Sequence, residues 1–426
     1  MKKSLMVCLA LVFCTAFFSA SAQTTVNWWS WNPDEARAQQ YIDAFEASHP
    51  DIKIEYRKFE YTDYLQTLRL DLVSGGGPDI LGLQAGVMIG EYQPFLEDLE
   101  PYATEAFGSE WKDNFYSLGL DQVTIDGKVA AFPWFLSAAG YVWYNKTVFD
   151  ELGLSAPTTY DEWKSVAATL RENDITPFVQ GAKDDWVNFD MFIALANEVA
   201  PGKIYQAEAG EVAWTDEDLL AAMNMWKGLF DDGIMPADAL GIAQYPDAHD
   251  AWVQGDAAMI FLGNWNNGRM SDTVYKQVQE RLSIEETYEY LPTLLPDMNG
   301  DGVQGQLFGG PDVALGINNQ SSNKEAAWTF LSWMVSEEGQ TIIASGLQFP
   351  SVKTVALDAS DVIFPSQAEA LAAQPGHMES SVGKRELLYP ELKTALGDAL
   401  QDVASGSVTP EEALESVERV SQSVDR

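Results

Sequence analysis

Cysteine is nearly absent from this chain: the two it has, Cys8 and Cys14, both fall within the first 22 residues. That segment has the form of an export signal. Lys2 and Lys3 precede an apolar stretch at 5–18, and Ala20-Ser21-Ala22 supplies a small-residue cleavage site before Gln23. The exported chain is therefore expected to lack a disulfide, a thiolate nucleophile and a sulfur-ligated metal. Phe13 stands ahead of Cys14 where lipid attachment needs a small residue. Histidine is also scarce, and His49, His249 and His377 show no zinc-binding spacing. Basic residues number 25 against 64 acidic ones, a formal charge of −39. Such a field repels a nucleic-acid backbone, an anionic membrane surface and a strongly acidic ligand. Beyond the signal no run is long and apolar enough to cross a bilayer. A soluble periplasmic or extracellular protein, exported by its signal peptide, is the expectation.

Aromatic residues, in contrast, are plentiful. Trp28, Trp29 and Trp31 stand just before Asn32-Pro33-Asp34, where an apolar strand at 26–30 gives way to a helix from about 33 to 48. Flat apolar rings beside hydrogen-bonding groups are what a sugar requires of its site. Residues 52–56 alternate as a strand, and Leu65, Leu68 and Leu72 line the next helix. Strand and helix thus alternate as in βαβ units, and no Pro/Ser linker or charge block divides the chain, which is too long for one ordinary core. Two α/β lobes joined by chain crossovers fit. An apolar run at 129–135 is expected to leave one lobe as a strand. The second half reads as mostly helical, with Trp163, Trp226 and Trp252 on core faces and Thr409-Pro410-Glu411-Glu412 opening a capped helix.

Other motifs carry less chemistry. Gly75-Gly76-Gly77 lacks the lysine and hydroxyl of a phosphate loop and follows a helix instead of preceding one. Asp79, beside Pro78, suits a turn or cap. Asp297-Met298-Asn299-Gly300-Asp301-Gly302 has the first half of a calcium loop, but Phe308 replaces the closing glutamate, so a polar loop or hairpin is favoured over a metal site. No nucleophile elbow or other catalytic signature accompanies the many carboxylates. No cofactor is implied.

Several segments, in order, resemble one family: VNWWSW at 26–31, GGPDI at 76–80, DGKVAAFP at 126–133 and YVWYNKTVFDELGL at 141–154, then AWVQGDAAMIFLGNW at 251–265, GGPDVALGI at 309–317, NKEAAWTFLSWM at 323–334 and GLQFPSV at 346–352. Together they resemble the extracellular solute-binding proteins of sugar ABC importers, the family that includes the maltose-binding protein. The resemblance implies a periplasmic-binding-protein-like α/β fold: one lobe from 23–133 and 311–362, the other from 134–310 and 363–426, with a ligand cleft between them. It implies a non-enzymatic monomer that delivers a neutral mono- or oligosaccharide to a membrane permease driven by a separate ATPase. A sugar sensor without transport, a binder of another small polar solute, and a glycoside hydrolase are the alternatives.

By the same resemblance, Trp31 and Trp265 are the leading stacking residues of opposite lobes, with Trp29 shared between core and cleft. Asn32, Asp34 and Gln84 are candidate hydroxyl partners. Trp134 and Phe135 stand near a crossover, as do Asn264 and the backbone of Gly309 and Gly310. Trp186 and Asp190 complete the set from a polar aromatic loop expected after Gln180. Leu83, Gly86 and Ser137 replace a tryptophan, an aspartate and a glutamate of the maltose-binding member, so the resemblance does not extend to maltose.

Overall fold

A computed structural model describes residues 23–236 and 238–426; the expected export signal lies outside them. Two mixed sheets, each covered by helices, organise the chain. In the first sheet, β1 (Thr24–Ser30), β2 (Ile52–Lys58) and β3 (Ile80–Leu83) run parallel with β1 between the other two. The crossovers are α1 (Glu35–Ser48) and α2 (Tyr61–Val73). Of the expected stripe on α2, Leu68 and Leu72 are fully buried and Leu65 is half-buried; on α1 Tyr41 and Phe45 are fully buried. Asp34 caps α1, its Oδ1 accepting from the Arg37 N–H at 2.9 Å.

The chain leaves this sheet at β4 (Phe132–Pro133) and enters the second sheet one residue later as β5 (Phe135–Asn145). The single strand expected over 129–135 is thus broken at Trp134, whose N–H donates to Val313 O at 3.2 Å. Around β5 are gathered β6 (Thr176–Val179), β7 (Ala257–Gly263), β8 (Tyr290–Leu294) and β9 (Phe308–Pro311), in the order β8-β5-β7-β6 with β9 also on β5. The chain then returns to the first sheet as β10 (Ala314–Ile317), antiparallel to both β3 and β4. It crosses once more, to β11 (Phe349–Pro350), which pairs with β5.

Each sheet has its own core. Trp28, on the inward face of β1, packs at 4.4 Å from the Tyr56 ring and 5.7 Å from both Trp134 and Phe330. Trp163 and Trp226 belong to the second core, both fully buried, and the Trp226 Nε1–H donates to Leu400 O at 2.9 Å. Asp79 is structural: one carboxylate oxygen accepts from the Asn27 N–H and the other from Ser321 Oγ, tying β3 to the segment after β10. Helices α3 (Asp185–Val199) and α4 (Pro365–Glu379) lie on the second sheet, α5 (Pro390–Ala404) packs on α3, and α6 (Pro410–Ser421) packs on α5. Thr409 and Glu412 form the reciprocal cap expected at the start of α6. Among the described residues no helix is long and apolar enough to cross a membrane.

Candidate functional site

Where the chain passes between the sheets, segments from both converge on a small cavity. It is lined by Gln84, Ala85 and Gly86 after β3, by Gln122, by Ser137 on β5, by Gly309 to Pro311 of β9 and Asp312 just after it, and by Lys384, Arg385 and Glu386 between α4 and α5. Its free volume is about 30 Å³. A wider pocket of about 370 Å³ adjoins it, shares Gln122 and Lys384, and adds Ser117, Leu118, Asp121, Tyr205, Glu379, Ser381 and Gly383.

Arg385 is the centre of the arrangement. Its Nε and Nη2 donate to the two carboxylate oxygens of Asp190, on α3, at 3.1 and 2.8 Å. The guanidinium carbon stands 4.3 Å from the Trp265 ring centroid and 5.9 Å from that of Trp186. Such a fork over an indole combines two strong charge-assisted bonds with a cation–π contact. Burial raises the Asp190 carboxyl above its ordinary range, and the Arg385 charge opposes that shift. Asp312 faces the same guanidinium; burial raises its carboxyl too, while Arg385 and a hydrogen bond from the Asn32 side chain pull it back. Asn32, at the end of β1, and Asp312, between the sheets, thus meet at the site.

The segment carrying Arg385 is held from behind. The Tyr205 hydroxyl donates to Lys384 O at 2.7 Å, Gly309 N–H to Gly383 O at 3.1 Å, and Val382 N–H to Leu307 O at 2.7 Å. Gly383 has φ 72°, and a Cβ there would lie 1.9 Å from the Tyr205 ring. Only glycine allows that approach.

An aromatic group packs beside Arg385, outside the cavity lining. Trp186 stacks on Tyr245 at 6.1 Å with planes 10° apart, meets Trp265 edge-on at 6.2 Å, and the Trp265 Nε1–H donates to the Tyr245 hydroxyl at 3.3 Å. Tyr245 is 47% exposed. Trp265 lies flat on Gly263, where a Cβ would come within 2.0 Å of its ring.

Of the residues expected at the site, Asn32, Gln84, Trp186, Asp190, Trp265, Gly309 and Gly310 come together around this cavity or around Arg385. Others lie elsewhere. Trp134 and Phe135 are buried in the first core: the Trp134 ring turns toward Trp28 and Tyr41, and the Phe135 ring packs on Trp134. Asn264 is 2% exposed and its Oδ1 accepts from the Ala138 N–H at 2.9 Å, so its amide joins β7 to β5. Asp34 is consumed as a helix cap. The Trp29 ring lies 5.2 Å from Phe59 and under the Arg57 guanidinium, and Trp31 packs at 5.4 Å from Tyr64. Trp265 differs from expectation in another way, since Arg385 already covers its ring.

Arg385, Asp312 and Tyr245 were not singled out from sequence. Asp312 belongs to the GGPDVALGI segment and Arg385 to a Lys-Arg pair in a chain poor in both; only that local scarcity of charge marked them.

The Asp297–Gly302 loop is closed on itself. The Gly300 and Gly302 N–H groups donate to the two Asp297 oxygens at 2.6 and 2.8 Å, and although burial works against ionisation these bonds hold the Asp297 carboxyl below its ordinary range. Among the described residues no group of three or more histidine, cysteine or acidic side chains is placed to hold a metal.

Comparison with known proteins adds a family. The model for bacterial extracellular solute-binding proteins matches residues 29–341. An uncharacterized ABC transporter extracellular-binding protein of Pyrococcus horikoshii is 27% identical over 256 residues, 57% of either chain, so the match spans little more than half of that relative. A galactooligosaccharide-binding protein of Bacillus subtilis is 22% identical over 427 residues, covering 96% of this chain and 92% of its own. The solved structure of a chitin oligosaccharide binding protein superposes with a TM-score of 0.76 at 23% identity, over 94% of this chain and 98% of the other. The two α/β lobes are therefore of the periplasmic-binding-protein type, and the chain belongs to the bacterial extracellular solute-binding protein family.

Proposed function

We propose that this chain is the extracytoplasmic receptor of a carbohydrate ABC importer, taking a neutral mono- or oligosaccharide into the cleft between its lobes and presenting it to a membrane permease. The observation that carries this reading is the convergence of groups from both sheets on one cavity, with Trp265, Trp186 and Tyr245 grouped beside the Arg385 that lines it. Rings supply stacking surface; Asn32, Gln84, Asp312 and Arg385 supply directional partners for hydroxyls. The names of relatives point the same way: besides the galactooligosaccharide-binding protein, a xylose/arabinose-binding protein of Haloferax volcanii is 23% identical over 314 residues. We place the lobe boundaries at the crossovers near 133–135 and 311–314 and ahead of β11, with residues 363–426 in the second lobe.

The reading includes motion of the lobes about the crossovers. A sugar must enter a more open form, and contacts to both lobes then favour closure. Titration calorimetry against neutral sugars, uronates, polyamines and amino acids tests the ligand class. Stoichiometric binding of a neutral sugar without turnover is expected, and tight binding confined to a non-sugar would overturn the assignment. Small-angle scattering with that sugar should show a smaller radius of gyration than without it.

A further inference from the structure

We propose that the ligand is an oligosaccharide of at least two rings and not a monosaccharide: one ring stacks on Tyr245 while the next sits at the cavity lined by Arg385. The proposal rests on the carbohydrate reading above and extends it to the length of the chain.

The three large rings beside Arg385 are not equally available. The guanidinium lies over Trp265 at 4.3 Å, and the Gly263 backbone presses on the same ring so closely that a Cβ there would come within 2.0 Å of it. Trp186 is hemmed in by Tyr245, stacked on it at 6.1 Å, by Trp265 edge-on at 6.2 Å, and by the guanidinium at 5.9 Å. Both tryptophans are only partly exposed, whereas Tyr245 is 47% exposed. Its ring is held by Trp186 and by His249, 5.1 Å away, and its hydroxyl accepts from the Trp265 Nε1–H at 3.3 Å while keeping its own proton to donate. A ring fixed in this way loses little freedom when a sugar settles on it. Tyr245 is therefore the stacking surface, and Trp265 and Trp186 are its supports.

The cavity is a separate place. None of the three rings is in its lining, which is built from Gln84, Ser137, Gly310, Asp312 and the 384–386 segment among others. Arg385 is the link: it lines the cavity and lies over Trp265, and Asp190 takes two of its five N–H groups, leaving three for a ligand. From the exposed ring inward the order is Tyr245, Trp265, Arg385, cavity, each in contact with the next. A lone pyranose on Tyr245 has the Trp265–Arg385 pair between it and the cavity, and it meets the second lobe only. A lone pyranose at the cavity reaches Gln84 and Gly86 of the first lobe but has no aromatic platform. Two linked rings straddling Arg385 obtain both, and only contact with both lobes couples binding to closure.

The test compares chain lengths by titration calorimetry: galactose with galactobiose, xylose with xylobiose and xylotriose, glucose with maltose and cellobiose, and N-acetylglucosamine with its dimer. In at least one series the parent protein should bind the disaccharide roughly thirtyfold or more above its monosaccharide, the weight of one aromatic hot spot. Tyr245→Ala should bring that ratio down to about threefold by weakening the disaccharide and leaving the monosaccharide nearly unchanged. Hydroxyl-radical oxidation of the parent gives a second readout: a saturating disaccharide should shield Tyr245 severalfold more than a saturating monosaccharide does, while Phe107, 43% exposed in the first lobe, keeps its reactivity. A parent that binds a monosaccharide as tightly as its longer homologues refutes the proposal and leaves sugar binding standing. So does a well-folded Tyr245→Ala that keeps the ratio and, should that variant not fold, a disaccharide that shields Tyr245 no more than its monosaccharide. A parent that binds none of these sugars removes the carbohydrate reading and the proposal with it.

Discussion

Replacing Glu198 by glutamine should stabilise the protein above neutral pH and do little in acid. Glu198, on α3, is 9% exposed, and its Oε1 accepts from the Met298 N–H at 3.0 Å. Burial, reinforced by Asp297 and Asp301 and opposed by the Met298 bond, raises its carboxyl from 4.5 to about 7. The folded protein therefore keeps a proton that the unfolded chain releases between those values. Stability conferred by that proton is fully present below 4.5, falls as pH rises through the window, and is gone above about 7. The difference corresponds to ~3 kcal/mol, and residual water contact and relaxation of the loop reduce the expected effect to ~2 kcal/mol. Glutamine keeps the acceptor for Met298 but cannot ionise. Its amide adds a donor near Gly305, which contributes a constant offset, so the informative quantity is the change in ΔΔG with pH. Urea unfolding of both proteins at intervals from pH 4 to pH 8 measures it and cancels the general repulsion of so acidic a chain. A difference that does not vary across that range would show that Glu198 is not held protonated, and the reasoning would fail.

Asp190→Asn should cost ~2–3 kcal/mol, the lower end of what breaking a buried pair costs, because Arg385 retains 23% side-chain exposure. Adding Arg385→Met to that variant should recover most of the loss in urea unfolding, and no recovery would mean that the pair is not the source. Gly383→Ala places a Cβ into the Tyr205 ring at a left-handed backbone position and should destabilise by ~2–4 kcal/mol. Thermal unfolding would show it, and an unchanged Tm would mean that the 383–386 segment is not clamped as described.

Much of the fold was legible because local signals and burial agree. The Leu65, Leu68 and Leu72 spacing produced a helix, the Thr409-to-Glu412 pattern a reciprocal cap, and the GGPDI segment a turn into a buried strand. The broken strand at 129–135 escaped notice because an apolar run does not announce which of two sheets each residue joins. Trp134 lies between β4 and β5, and hydrogen bonds with Val313 and Gln340, residues remote in sequence, fix its direction.

The site was less legible, and the tryptophans show why. An indole reads the same in sequence whether it faces a core or a cleft; register decides. On β1 the alternation is strict enough to separate inward Trp28 from Trp29, which reaches the opposite face and is covered there by Phe59 and Arg57. For Trp134 and Trp265 no such local rule exists, since each stands where a strand ends. Trp265 was expected to offer a bare face, yet that face depends on residue 385, which the chain supplies only after the intervening strands and α4 have been laid down. Aromatic content could therefore indicate that a sugar site was plausible chemistry, whereas the charge at its centre is set by Asp190, Asp312 and Arg385, three residues that only the closed path of the chain brings together. Ligand selectivity in such a cleft is written in contacts between segments far apart in sequence, and a single sequence read along its length does not contain them.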